Sequence, residues 1–211
     1  MNDHHTAEMT RHYDEEAEAT GWYGPEILFG LAYTGLKPGQ ALLDIGIGTG
    51  LASVLFQKAG LRVHGMDLNP RMLEACQQKG LDDLVEHDLT VFPYPFESAS
   101  MDWVICTGVL NFFKDHQLIY AEVARILKPG GVFGLIVGDQ EDQQIKTVHV
   151  GAEHTGSEHE TLTMYRHPRN VIIDWLKTAS LTVSRDLCFT IYMDAERQHP
   201  HNARAYLARR T

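Results

Sequence analysis

Cysteine is scarce in this chain, and basic residues are outnumbered. Three cysteines, Cys76, Cys106 and Cys188, lie far apart among 211 residues and form no C-x-x-C pair. Such spacing suits free thiols in a reducing cytosol rather than a disulfide framework. Cys106, inside an apolar run, reads as a small core residue. Lys and Arg number 18 against 28 Asp and Glu, a net charge of −10. Nucleic-acid binding draws on clustered cations, so that balance argues against a nucleic acid as the main partner. No apolar run is long enough to span a bilayer, and the first residues are polar and acidic, unlike a signal peptide. A cytoplasmic location is therefore expected, with no membrane partner. Internal repeats and low-complexity tracts are also lacking.

What is present is an alternation of strand-like and helix-like segments. Ala41 to Ile45, Arg62 to Asp67, Met101 to Thr107 and Val132 to Val137 read as strands. Leu51 to Ala59, Pro70 to Lys79 and His116 to Leu127 read as helices between them, with Asn69 as a cap and Pro70 in the first turn. The turn Lys128-Pro129-Gly130-Gly131 closes the third helix. Alternation of this kind predicts a doubly wound α/β fold, a mostly parallel sheet with helices on both faces. Towards the C-terminus, Pro168 to Ala179 reads as an amphipathic helix. Leu181 to Tyr192 and Ala203 to Arg209 read as an antiparallel hairpin around the polar stretch 194–202. An apolar helix from Ile27 to Leu36 precedes the first strand. The polar stretch Asp139 to His159 predicts a lid, a binding loop or disorder.

The chemistry concentrates after the first strand, in Leu43-Asp44-Ile45-Gly46-Ile47-Gly48-Thr49-Gly50. Glycines let the backbone turn with positive φ and let a ligand approach without a Cβ in the way. A strand, a glycine loop and a helix in this order form a nucleotide-cofactor cradle at the carboxyl ends of the strands. The dinucleotide fingerprint G-x-G-x-x-G/A needs a small third residue for close helix–strand packing, and Leu51 occupies that place. About 20 residues beyond the loop, Asp67 ends the second strand, where an acid suits a ribose diol. Its bland alternative is a solvated strand-end acid. Asp88 follows a short apolar stretch and is either a ligand-binding acid or a turn former.

Four segments, the loop at 43–50, Gly65 to Leu73, Glu86 to Thr90 and the turn at 127–131, resemble in order the motifs of the class I S-adenosylmethionine-dependent methyltransferases. The resemblance implies a seven-stranded sheet of order 3-2-1-4-5-7-6, ending in the antiparallel hairpin. It implies one domain over residues 1–211: cap helices at 1–38, a cofactor-binding core at 39–138, a variable lid or substrate loop at 139–167, and the C-terminal helix and hairpin at 168–211. The cofactor it implies is S-adenosylmethionine, with S-adenosylhomocysteine as product. Asp44 would anchor the methionyl amino group, and Gly46, Gly48 and Gly50 would admit the methionyl part. Asp67 would hold ribose, Leu68 and Met72 would pack by the adenine and ribose, and Asp88 and Leu89 would meet the adenine. Thr107 would stand where the methyl group points. Tyr13 and Trp22 would serve either as a lid over the cofactor or in helix packing.

The acceptor is expected to be a small molecule. The Asn/Asp-Pro-Pro-Tyr-like motif that members acting on DNA amino groups and protein glutamine place after the fourth strand is absent. Asp139 and Asp142 do not complete the spacing of a divalent-metal site, so no metal is expected. His149, His154, His159 and His167 cluster in sequence, and the bland reading is a solvated polar loop. His149 and His154, with Tyr165 behind them, are the candidates for activating an acceptor, since imidazole titrates near neutral pH. Two other functions stay open: an NAD(P)-dependent oxidoreductase, against which Leu51 and the lack of a Tyr-x-x-x-Lys pair count, and a non-catalytic protein that binds S-adenosylmethionine or S-adenosylhomocysteine.

Overall fold

The computed structural model describes residues 14, 15, 17, 22–150, 162–193 and 200–211. Five helices are labelled α1 (Gly24–Ala32), α2 (Leu51–Lys58), α3 (Pro70–Gln78), α4 (Gln117–Ile126) and α5 (Arg169–Thr178). Nine strands are β1 (Ala41–Ile45), β2 (Arg62–Asp67), β3 (Asp83–Glu86), β4 (Met101–Thr107), β5 (Leu127–Gln140), β6 (Lys146–Val150), β7 (Leu162–Pro168), β8 (Leu181–Met193) and β9 (Pro200–Arg210). Among the described residues no helix is long and apolar enough to cross a membrane.

β1 to β5 lie in the order 3-2-1-4-5 and run parallel. β9 then pairs antiparallel with β5, and β8 antiparallel with β9. The expected seven-stranded order is thus reproduced, with β9 and β8 in its last two places. The sheet has two further strands where the sequence predicted a lid, a binding loop or disorder. β6 and β7 form an antiparallel hairpin, and β7 meets β5 at Asp139 and Gln140.

Strands buried on both faces explain why the sequence reads as continuous apolar runs instead of alternating ones. In β4, Val104 and Cys106 face a core shared with Ile119, Val123 and Ile172 of α4 and α5. Trp103 and Ile105 face the opposite core, with Leu28 of α1 and Phe56 of α2. Cys106 is fully buried, as its surroundings in sequence predict.

Three boundaries differ from the sequence reading. α1 stops at Ala32 and tightens into a 3-10 turn at Tyr33–Gly35. β5 begins at Leu127, so the Pro-Gly-Gly segment becomes an irregularity inside a strand, where the register with β4 shifts between Met101 and Trp103. β9 starts at Pro200, which extends the hairpin into the stretch read as a loop. The outer strand β8 carries two register shifts against β9, at 183–185 and 190–192.

Candidate active site

The loop between β1 and α2 is tied to the end of the neighbouring strand. Gly46 N–H and Ile47 N–H both donate to the Met66 carbonyl, at 2.8 and 3.0 Å. Gly46, Gly48 and Gly50 have φ of +70°, +56° and +82°, a region that L side chains rarely occupy. Their surroundings give them different jobs. A Cβ on Gly46 would lie 2.8 Å from a Val109 methyl, so the loop packs directly onto the segment after β4. A Cβ on Gly50 would lie 2.7 Å from Leu81, which makes that glycine a packing requirement at the start of α2. Beside Gly48 there is nothing within 4 Å. Its missing side chain opens onto a cleft.

That cleft has a volume of about 440 Å³, within the range of small-molecule sites. Its wall contains Gly46, Gly48, Asp67, Leu68, Met72, Thr107 and Trp22, seven of the residues expected to hold a cofactor. Asp67 Oδ2 accepts from Gly48 N–H and Oδ1 from Asn69 N–H, each at 2.9 Å. A carboxylate offers about four acceptor positions, so each oxygen keeps one for a further donor. Leu68 is 63% exposed, an apolar side chain at the mouth of the cleft. The lining also includes Val109 and Phe112, beside and on the 3-10 turn Leu110–Phe112. The Asn111 side-chain oxygen fixes this turn to the sheet by accepting from Gly138 N–H at 2.7 Å.

Asp44 lies outside this lining, on β1. It is 1% exposed; Oδ2 accepts from the Ser53 hydroxyl at 2.8 Å, and Oδ1 is buried without a partner among the described residues. Burial pushes its carboxyl up to about 7, Ser53 opposes the shift, and the Asp67 charge adds to it. Asp88 and Leu89 are also outside the lining. Asp88 folds back on its own turn, accepting from Thr90 N–H and the Thr90 hydroxyl, both at 2.8 Å. Those bonds hold its carboxyl below the usual range. Leu89 is buried under Tyr94, whose hydroxyl donates to the Leu89 carbonyl. His149 and Tyr165 sit on the β6–β7 hairpin and do not line the cleft; Thr163 Oγ1 lies 3.4 Å from His149 Nδ1. His167 is fully buried, so it does not belong to a solvated loop. Tyr13, His154 and His159 lie outside the described residues.

Several participants escaped the sequence reading. Asp14 reaches the glycine loop, where Thr49 Oγ1 donates to its carboxylate at 2.5 Å. Lys79, at the end of α3, pairs with the same carboxylate and donates to the Thr49 carbonyl at 2.8 Å. Nothing in the spacing of 14, 49 and 79 signals this clamp. Phe112 could have been found as an apolar residue between a strand end and a helix start. Among the described lining residues there is no Lys or Arg. Asp67 is thus the one charged side chain in the described lining. The residues fit a ligand that combines a vicinal diol with positive charge, and the open space beside Gly48 fits close backbone approach.

Residues 43–135 match the family model described as a methyltransferase domain. Phosphoethanolamine N-methyltransferase 2 of Caenorhabditis elegans is 32% identical over 117 residues, 51% of this chain and 27% of that protein. The malonyl-[acyl-carrier protein] O-methyltransferase of Serratia marcescens is 35% identical over 96 residues, 45% of this chain and 37% of that protein. The chain thus spans well under two thirds of the length of these curated relatives. Among solved structures, 1,6-didemethyltoxoflavin-N1-methyltransferase of Burkholderia thailandensis, with its namesake ligand and S-adenosylhomocysteine bound, superposes with a TM-score of 0.71. It is 18% identical and covers 94% of this chain and 83% of its own. Magnesium protoporphyrin IX methyltransferase of Synechocystis PCC 6803, with S-adenosylhomocysteine bound, gives 0.67 at 18% identity over 93% and 86%. The match over residues 43–135 and the shared fold make this chain similar to the family of S-adenosylmethionine-dependent methyltransferases. No single member of that family is singled out.

Proposed function

We propose that this chain transfers a methyl group from S-adenosylmethionine to a small-molecule acceptor. One observation carries the proposal: Gly46 and Gly48 of the loop, the ribose-type acid Asp67, and Thr107, Gly108, Val109 and Phe112 at and after the end of β4 converge on one cleft. When bound, the cofactor supplies a methyl group activated by its sulfonium. Asp67 offers its two remaining acceptor positions to the ribose hydroxyls. Gly48 leaves room for the methionyl part, and the Asp44 carboxyl, whose Oδ1 has no partner among the described residues, would accept from its ammonium group. Leu68 and Met72 cover the apolar faces of the nucleoside. Thr107, Val109 and Phe112, with Trp22 and Pro25 of the same lining, are the residues along which an acceptor would be aligned. Alignment of the nucleophile for in-line displacement is worth roughly 7–11 kcal/mol of barrier, so no catalytic triad is required. Three of the proteins named above carry small molecules in their names, phosphoethanolamine, 1,6-didemethyltoxoflavin and magnesium protoporphyrin IX, which supports an acceptor of that size. The β6–β7 hairpin, which carries the candidates His149 and Tyr165 outside the cleft lining, borders the site through β7, which packs against the Leu110–Phe112 turn.

Titration calorimetry with S-adenosylmethionine, S-adenosylhomocysteine, NAD⁺ and NADP⁺ tests the cofactor. Binding of the first two alone supports the proposal, and preference for a dinucleotide overturns it. Turnover of methyl-labelled S-adenosylmethionine against a metabolite panel then separates an enzyme from a protein that only binds the cofactor.

A further inference from the structure

Two buried imidazoles hold the acceptor-side wall of the cleft from behind, and neither belongs to the cofactor machinery. His116, just before α4, has Nε2 at 2.9 Å from the Leu110 carbonyl and 3.0 Å from the Phe113 carbonyl. Carbonyls only accept, so Nε2 carries the proton. Nδ1 then accepts from the Tyr120 hydroxyl at 2.9 Å. His167, at the end of β7, has Nε2 at 3.2 Å from the Lys114 carbonyl and donates to it. The two rings are fully buried, with centroids 4.3 Å apart, and the edge of Trp175 from α5 closes over both. Three carbonyls on either side of Phe112 are therefore fixed by one pair of neutral side chains. Phe112 and Val109 face the cleft, and Val109 packs on Gly46.

The geometry points to a positioning role: His116 and His167, in their neutral forms, lock the Val109–Lys114 segment against the cofactor cleft, and a proton on the pair unlocks it. Each neutral ring spends its only N–H on a backbone carbonyl. An added proton on His116 lands on the nitrogen that now accepts from Tyr120, and reverses that bond. An added proton on His167 lands on Nδ1, which is buried without a partner among the described residues. Either cation lies against the other ring, in a space with little room for water. Burial and the neighbouring ring hold the His116 imidazole down at about 4, and burial lowers His167. Other groups face the pair. Tyr120 is on α4 and Trp175 on α5, and the Asp115 carboxylate before α4 is the charge that acts on both rings and eases their protonation. The sign follows from linkage. An unlocked segment returns the rings towards their ordinary value of about 6.5, so acidification through that range favours the unlocked form.

This inference rests on the cleft being the S-adenosylmethionine site, and its test reads the two claims separately. Ring-nitrogen NMR of the full chain, assigned with His116→Gln and His167→Phe, follows both imidazoles. The amide signals of Val109, Phe112 and Lys114 are followed in the same samples, and calorimetry gives S-adenosylhomocysteine affinity at each pH. The expected result is that those amides move with the ring midpoints and that affinity falls about tenfold between about pH 6.5 and 5, while circular dichroism shows a folded chain. In His116→Gln the amide still donates to a carbonyl but does not titrate. Its acid loss should shrink by at least about half, the remainder belonging to His167, while any fall near neutrality from Asp44 persists. Amides that ignore the ring titration, wild-type affinity that does not fall below pH 6.5, or an unchanged acid loss in both variants would overturn the inference. Should His116→Gln not fold, His167→Phe carries the comparison. Absence of S-adenosylhomocysteine binding even at pH 8 would refute the cofactor site instead, and the amide signals would still decide the lock.

Discussion

At Asp44 the chain holds a carboxylate that its own side chains answer on one oxygen only. The folded state therefore favours the protonated form, and the sign of the pH effect follows. Its carboxyl is raised from 3.8 to about 7, so the contribution of Asp44 to the stability of the ligand-free protein falls as pH rises across that interval and is flat above it. Asp44→Asn should raise the thermal stability of the ligand-free chain at pH 8, by about 1–3 kcal/mol, and lower S-adenosylhomocysteine affinity. Calorimetry on one sample set checks both. The glycines separate in the same way. Gly48→Val meets no neighbour but puts a β-branched residue at positive φ, so it should lose about 1–3 kcal/mol of stability and lose ligand affinity by more than about a hundredfold. Gly50→Ala meets Leu81 and a positive φ, and should lose about 1–3 kcal/mol in urea unfolding while retaining affinity. The sequence alone treated the three glycines alike. Their difference lies in Val109 and Leu81, which reach the loop from distant parts of the chain. Asp67 was legible because its place at the end of β2 follows from local pattern. Asp88 was not, because a turn-forming and a ligand-binding acid share the same local sequence.

Between elements, the Asp14–Lys79 pair joins the N-terminal segment, the glycine loop and the end of α3. Trp22, from the same segment, lines the cleft, so whatever loosens the clamp loosens one wall of the site. Lys79→Met should speed S-adenosylhomocysteine dissociation about fivefold, the size expected of a partly exposed ion pair. Stopped-flow displacement would measure it, and raising the salt should narrow the gap to the parent chain. The β6–β7 hairpin shows why one element was missed. Its strands are polar and bracket 151–161, so composition reads as loop. Their pairing satisfies backbone groups through partners far along the chain, which no local window contains. The helices with apolar stripes were legible within a few residues, as was the burial of β4.

For the whole molecule, the sheet order was readable because parallel strands with helical crossovers admit few arrangements. The charge network that fastens the C-terminal hairpin was not. Arg204 on β9 binds Asp139 at the end of β5 through Nε at 3.0 Å and Nη2 at 2.9 Å, and also Asp186 on β8 at 2.8 Å. Arg169 at the start of α5 closes the network by pairing with Asp186 at 2.7 Å. Asp139 is 8% exposed, so removing its partner strands a buried charge. Arg204→Met should destabilise the chain by about 2–4 kcal/mol in urea unfolding. The loss should respond little to salt, unlike that of Lys79→Met.

The two register shifts in β8 reach beyond the single chain. This strand is the outer margin of the sheet, and a straight margin of that length would offer a row of free amides and carbonyls to any other chain. Each extra residue, Ser184 and Ile191, bends the margin and spoils the repeat that a stacking neighbour would need. Ser184 also turns its hydroxyl inward to the Leu207 carbonyl at 3.0 Å. Kinks of this kind oppose fibre growth, here on a strand four places from β1 in the order of the sheet.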